Sequence, residues 1–240
     1  MRREIDVILG PPWAAERVRG KHAVVVDVLR ATSTIATALA NGAEGVIPVE
    51  NPEEAVLVGN RLGRERVLLC GERESVKIPG FDLDNSPASF TPAAVAGKTL
   101  VMTTTNGTRA LRALSAAVSL QTAALLNRAA AARALANEAG DVTIVCAGDD
   151  GRFALDDALG AGALVDALIA LAGNFELLDG ARAAAMLYAS AQPRLGDAIA
   201  SADHATTLAR AGFGADVVRC AQLDQFDIVP TLRDGMLVGG

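Results

Sequence analysis

Four short polar clusters interrupt an otherwise apolar sequence, and each sets an arginine within a few residues of carboxylates, hydroxyls or both. The first is Asp27-Val28-Leu29-Arg30-Ala31-Thr32-Ser33-Thr34. An acid ends an apolar run, and Arg30, Thr32 and Ser33 open the helix that follows. A helix N-terminus offers unpaired N–H groups and the positive end of the dipole, a setting for an anion, and a guanidinium adds bidentate hydrogen bonds to phosphate. The second cluster is Gly71-Glu72-Arg73, continued by Gly80-Phe81-Asp82-Leu83-Asp84-Asn85-Ser86-Pro87. Its carboxylates are oxygen ligands of the kind Mg²⁺ accepts, while Asn85 and Ser86 are suited to orienting a phosphate oxygen or a water. The third, Thr103-Thr104-Thr105-Asn106-Gly107-Thr108-Arg109, joins a strand to a helix, where hydroxyls and backbone amides form an anion nest. The fourth is Gly148-Asp149-Asp150-Gly151-Arg152, with Asp156-Asp157 beginning a long helix.

Each cluster taken alone has an ordinary structural use. Asp27 and Thr32 can cap a helix, Asp, Asn and Pro build turns, and acids at a helix N-terminus are favourable whatever the function. Together they carry more information, because Asp27, Glu72 and the acids from Asp149 to Asp157 all follow strand ends. Carboxylates that converge repel one another and call for a cation. With oxygen donors only, Mg²⁺ is the natural choice. Zinc is poorly supported: His22 and His204 are the two histidines, and Cys70, Cys146 and Cys220 are scattered. Gly97-Lys98-Thr99 lacks the upstream glycine of a P-loop and precedes a strand, Gly160-Ala161-Gly162 fails the dinucleotide pattern, and no Gly-x-Ser-x-Gly elbow occurs. An Asp-x-Asp at the first strand end is missing as well.

The elements that position these clusters follow from hydrophobic periodicity. Strands are expected at His22–Asp27, Gly45–Val49, Val67–Gly71, Lys98–Thr103, near Ala117–Gln121, at Val142–Cys146 and at Asp227–Leu232. Helices are expected at Thr32–Ala40, Pro52–Leu62, Gly107–Leu114, Arg128–Ala139 and Ala154–Ala172, the second with Asn51 as N-cap and Pro52 in its first turn. Glu72–Pro92 has no period, and a loop of that length in a compact domain is usually functional. The alternation predicts an α/β fold, a three-layer arrangement with a largely parallel or mixed sheet covered by helices. Residues 1–240 are expected to form one compact unit with room for two lobes. Ligands of open α/β sheets sit beyond the carboxyl ends of the strands, where the polar clusters fall.

Composition sets the outer limits. Apolar residues make up 51% of 240, enough for a core without disulfides, and aromatics only 3%. A net charge of −6 with no polybasic run argues against a nucleic-acid partner. Neither a signal peptide in Met1–Trp13 nor an apolar stretch of about 20 residues is seen, so no membrane partner is expected and the cytoplasm is the expected compartment. Ala-rich helical faces suit a homodimer or a monomeric core equally.

In this order, the clusters resemble the 2-phosphosulfolactate phosphatase family of coenzyme M biosynthesis. The likeness is carried by Val24–Ala43, Gly71–Pro87, Thr103–Leu111 and Ala147–Gly162, with a C-terminal stretch, Ser201–Gly235, holding His204, Asp216, Asp224 and Val229-Pro230. It departs from the pattern at Glu74 and Asp84, where smaller residues are expected, and at Ala205 in place of glycine. The resemblance implies a mixed α/β fold and Mg²⁺-dependent hydrolysis of 2-phosphosulfolactate, a small anionic phosphorylated substrate with roughly three to four negative charges near neutral pH. On this basis Asp27, Glu72 and Asp156 or Asp157 are the expected metal ligands. Arg30, Arg73 and Arg109, helped by Lys77 or Arg152, clamp the anionic groups. Asn85, Ser86, Thr105 and Asn106 place phosphate and water, with Thr32, Ser33, Thr104, Gly107 and Thr108 completing the anion site. Whether Asp27 ligates metal or attacks phosphorus is open. The alternatives are a hydrolase for another phosphorylated hydroxy acid and a non-catalytic receptor for a phosphorylated metabolite.

Overall fold

The structure, a computed structural model, describes every residue except Met1, Ala14 and Ser115. In chain order its elements are β1 (Arg3–Ile8), β2 (His22–Val26), α1 (Ala31–Ala40), β3 (Gly45–Pro48), α2 (Pro52–Leu62), β4 (Val67–Arg73), β5 (Val76–Lys77), α3 (Pro92–Val95), β6 (Thr99–Thr103), α4 (Gly107–Ala113), β7 (Ser119–Ala123), α5 (Arg128–Asn137) and β8 (Val142–Cys146). There follow α6 (Leu155–Leu171), β9 (Phe175–Leu177), α7 (Asp179–Ala191), α8 (Leu195–Ala200), α9 (Asp203–Arg210), α10 (Gly214–Cys220), β10 (Pro230–Arg233) and β11 (Met236–Gly239).

Among the described residues, eleven strands join one mixed sheet in the order β5-β4-β6-β3-β11-β10-β7-β2-β8-β1-β9. It holds two parallel runs. β4, β6 and β3 pair in parallel on one side, and β7, β2, β8, β1 and β9 on the other. Between them the antiparallel hairpin β10–β11 is inserted, joined to β7 through Thr231 and Gln121 and to β3 through Leu237 and Val46. The expected α/β architecture, with helices over a largely parallel sheet, is the one observed.

β2 shows why the sheet is buried on both faces. All five of its residues are buried. Val24 and Val26 belong to one core with Ile5, Ile144, Leu164 and Tyr188, while Ala23 and Val25 belong to another with Ile35, Leu100 and Leu111. An unbroken apolar run is the signature of a parallel strand covered on both sides, and each valine removed from water is worth about 1.5–3 kcal/mol. A third, smaller core of Val67, Leu69 and Val101 lies against Ala55 of α2. As expected, Asn51 caps α2, its side chain accepting from the Glu54 amide at 2.8 Å.

Several elements differ from expectation. β1 was not anticipated because Glu4 and Asp6 interrupt its apolar pattern, yet Ile5, Val7 and Ile8 are buried. The last predicted strand, Asp227–Leu232, is instead the hairpin β10–β11, beginning three residues later and returning through Gly235. The stretch Glu72–Pro92 contains β5, which folds back on β4, and a 3-10 turn at Pro87–Ser89. Among the described residues no helix is long and apolar enough to cross a membrane.

Candidate functional site

Asp27 stands just beyond β2, where the chain turns into α1. Its Oδ1 accepts the Ala31 amide at 3.0 Å, and the Thr32 hydroxyl donates back to the Asp27 carbonyl at 2.8 Å. α4 approaches this turn through Gly107, where a Cβ would fall 2.6 Å from Asp27 Oδ2. Only glycine lets the two loops close on each other here. Burial raises the Asp27 pKa to about 6; His204 and the Ala31 amide oppose the rise, and the charges of Asp156 and Glu72 add to it.

Asp156 and Asp157 begin α6 as predicted, but they serve opposite purposes. Asp157 is spent on structure, with Oδ1 accepting the Val28 amide at 2.9 Å and Oδ2 the Gly148 amide at 2.8 Å. It fastens the loops after β2 and β8 together. Asp156 is equally buried, yet its Oδ1 has no hydrogen-bond partner among the described residues. Burial also lifts its pKa to about 6, against the pull of His204 and backbone amides, with Asp149 adding to the rise. An orphaned, buried carboxylate oxygen is uncommon.

Glu72 lies near the end of β4. Its Oε1 accepts both the amide and the hydroxyl of Thr105, at 2.9 and 3.0 Å, and its Oε2 accepts the Ser75 amide at 2.9 Å. Gly71 makes this possible: a Cβ there would sit 2.2 Å from the Thr103 carbonyl, so β4 and β6 can end in contact. Arg73 donates to the Glu72 carbonyl and the Thr103 hydroxyl. Arg30 has a different environment. It is buried, pairs with Asp216 of α10 at 2.7 Å, donates to the Ser75 carbonyl at 3.2 Å and stacks 4.3 Å above the Phe213 ring. Ser86 completes the group by donating to the other Asp216 oxygen at 2.7 Å. The charge that sequence reasoning assigned to a phosphate clamp is already neutralised by an aspartate 186 residues away.

Three hollows meet at these residues. The innermost, about 20 Å³, is walled by Asp27, Leu29, Arg30, Glu72, Ser75, Asn85, Thr104, Asn106 and His204, enough for a water. It shares Glu72, Ser75, Asn106 and His204 with an outer vestibule of about 660 Å³, which adds Arg73, Glu74, Thr105, Asp149, Asp150, Arg152 and Thr207. A side hollow of about 210 Å³ reaches Asp156, Arg152 and Ser201. Asn85 is buried, and its side-chain oxygen is unpaired among the described residues. His204 of α9 lines all three and bonds Asp149 through Nδ1 at 3.3 Å. That bond and the charges of Asp156, Asp149 and Asp27 raise its pKa in spite of burial, and the same bond holds the Asp149 carboxyl below its ordinary range.

Of the residues expected from sequence, Asp27, Arg30, Glu72, Asn85, Thr104 and Asn106 therefore share one hollow, and Arg73 and Thr105 line its mouth. Thr32, Ser33 and Thr108 are buried in backbone-directed hydrogen bonds that shape the loops. Arg109 and Lys77 are exposed and do not line these hollows. His204 and Asp216 were noted only within the C-terminal likeness. Nothing local to either residue signals that α9 and α10 fold over the strand ends.

Among the described residues, no three His, Cys, Asp or Glu side chains form a ready metal cage. Mg²⁺ does not demand one, since it binds through one or two carboxylates and completes its shell with waters and substrate phosphate. Asp27 and Asp156 suit that pattern, given the orphaned Asp156 Oδ1. Asp157 does not, with both oxygens taken, and Glu72 already accepts three hydrogen bonds.

Fold and site together define an α/β protein with an acid-walled polar hollow at the carboxyl ends of parallel strands, rimmed by arginines. Residues 13–235 match the 2-phosphosulpholactate phosphatase family. A relative from Deinococcus radiodurans is 46% identical over 89% of this chain and 88% of its own. Others from Caldanaerobacter subterraneus subsp. tengcongensis and Symbiobacterium thermophilum are 44% and 43% identical, covering 92% and 95% of this chain and 91% and 97% of theirs. All three carry the name "Probable 2-phosphosulfolactate phosphatase". The chain belongs to the 2-phosphosulpholactate phosphatase family.

Proposed function

We propose that this protein hydrolyses 2-phosphosulfolactate to sulfolactate and phosphate, with Mg²⁺ held by Asp27 and Asp156. The observation that carries the proposal is the pair of buried, mutually repelling carboxylates in two hollows that meet at His204, one of them with an oxygen unpartnered among the described residues. A receptor that merely binds a phosphorylated metabolite gains nothing from burying acids beside an anion. When bound, Mg²⁺ polarises the phosphoryl oxygens and stabilises charge that develops in the transition state. Thr104, Asn106 and Asn85 line the inner hollow, which has room for the attacking water, while the phosphoryl group sits at its mouth in the vestibule, beside Asn106 and Thr105. Arg73 and Arg152 in the vestibule face the carboxylate and sulfonate of the substrate. Arg30 acts indirectly, holding α10 and the loop at Ser86 against the end of β2. The cytoplasm remains our proposed compartment, in keeping with three free, buried cysteines.

The test is release of inorganic phosphate by the purified protein from 2-phosphosulfolactate, compared with phospholactate, which lacks the sulfonate. We expect turnover of the first with Mg²⁺ and a kcat/KM lower by tenfold or more for the second. No phosphate release from either would remove the proposal. Preference for the sulfonate-free ester would instead favour hydrolysis of another phosphorylated hydroxy acid.

A further inference from the structure

His204 is the residue common to all three hollows, and it reaches them from α9, outside the strand-end loops that supply the other polar groups. Its Nδ1 is held by Asp149, on the turn after β8, at 3.3 Å. Asp149 is the one carboxylate within ion-pair distance of the ring among the described residues. With Nδ1 oriented in this way, Nε2 is the nitrogen left to serve the hollow shared with Asp27. The charged groups around the ring are Asp149 and Arg152 from the turn after β8, Asp156 from α6, Asp27 and Arg30 after β2, Glu72 and Arg73 from β4, Glu74 and Asp150 from the vestibule loops, and Asp203 beside it on α9. Seven acids face three arginines in this set, an excess that the two charges of Mg²⁺ would not cancel, and Asp149 at Nδ1 favours the imidazolium.

Hydrolysis of an alkyl phosphate has a specific need at this position. The departing oxygen of a hydroxy acid is a poorly stabilised alkoxide, and proton donation to it in the transition state is worth typically 10²–10⁴-fold. We propose, resting on the phosphatase activity above, that His204 is the general acid for the leaving group and that Asp149 is its positioning residue. The P–O bond to the hydroxy-acid carbon skeleton breaks with both electrons passing to oxygen, and the Nε2 proton moves to that oxygen to give the alcohol. Water supplies the oxygen gained by phosphorus, and a proton it gives up restores the imidazolium. One water is consumed and no other reagent is needed.

The experiment compares 2-phosphosulfolactate with 4-nitrophenyl phosphate, whose phenolate departs without a proton, using wild type, His204→Ala, His204→Gln and Asp149→Asn in saturating Mg²⁺. We expect His204→Ala and His204→Gln to lose at least 100-fold in kcat on the alkyl ester and less than fivefold on the aryl ester. Added imidazole should restore part of the His204→Ala activity on the alkyl ester. Asp149→Asn should show the same selectivity with a smaller loss. Equal loss on both esters, or no recovery with imidazole, would overturn the role of His204 while leaving the phosphatase activity standing. If wild type does not turn over the aryl ester, imidazole recovery on the alkyl ester decides alone. A wild type inert on the alkyl ester would overturn both proposals.

Discussion

Two sides of the site treat buried charge in opposite ways. On one, Arg30 and Asp216 meet at 2.7 Å, Ser86 takes the second Asp216 oxygen, and Phe213 covers the guanidinium. Charge there is matched, hydrogen-bonded and sealed. On the other, Asp27 and Asp156 are as deeply buried, repel each other and leave Asp156 Oδ1 with no partner among the described residues. Buried charges normally occur paired, so matched charge reads as scaffold and unmatched charge as a place prepared for a ligand. Asp157 belongs with the first side despite its position beside Asp156, because its oxygens close two backbone amides.

Substitutions can break this contrast from either side. The largest effect is expected at the matched side. Asp216→Ala strands the Arg30 charge in a dry setting and should cost about 3–5 kcal/mol of unfolding free energy, read from a denaturant midpoint. Asp27→Asn should behave in reverse, keeping or gaining stability while kcat falls roughly 10²–10³-fold, about 3–4 kcal/mol. Steady-state phosphate release with a parallel melt measures both at once.

Asp156→Asn sharpens the comparison through pH. The folded-state pKa of Asp156 is raised to about 6, so the native protein binds more protons than the unfolded chain above the ordinary aspartate range. Its contribution to stability is fully present below that range and is lost as pH rises through about 6. In metal-free buffer the asparagine variant should therefore be more stable than wild type at pH 7.5, by roughly 1–3 kcal/mol. The two should converge near pH 4. A variant less stable than wild type at pH 7.5 would mean that the carboxylate is a structural support. The smallest effect is expected for Arg109→Ala, which should shift stability and kcat/KM by no more than about 0.5 kcal/mol, since that side chain is exposed and outside the hollow.

The fold was legible in the sequence wherever burial was two-sided. The runs at His22, Val67 and Val142 declare themselves as parallel strands, and the clusters at Asp27, Glu72 and Asp156 fall beyond them. Strand β1 was not legible, because its charged residues Glu4 and Asp6 break the apolar pattern. The place of β10–β11 was hidden for another reason: an insertion between two parallel runs depends on distant partners, Gln121 and Val46, that no local pattern encodes. Residue types disclosed which groups are able to bind anions but not how each charge is spent. Arg30 and Arg109 looked equivalent as arginines entering helices; one is buried against Asp216 and the other faces solvent. His204 could not be placed either, since its role depends on α9 closing over loops more than 45 residues earlier in the chain.

The most direct test is the Mg²⁺ dependence of phosphate release from 2-phosphosulfolactate by wild type and Asp156→Asn. An unmatched carboxylate that helps hold the ion predicts saturable activation of wild type, silence in EDTA, and a variant that needs at least tenfold more Mg²⁺ for half-maximal rate. Full wild-type turnover in EDTA, or identical Mg²⁺ curves for the two proteins, would contradict it.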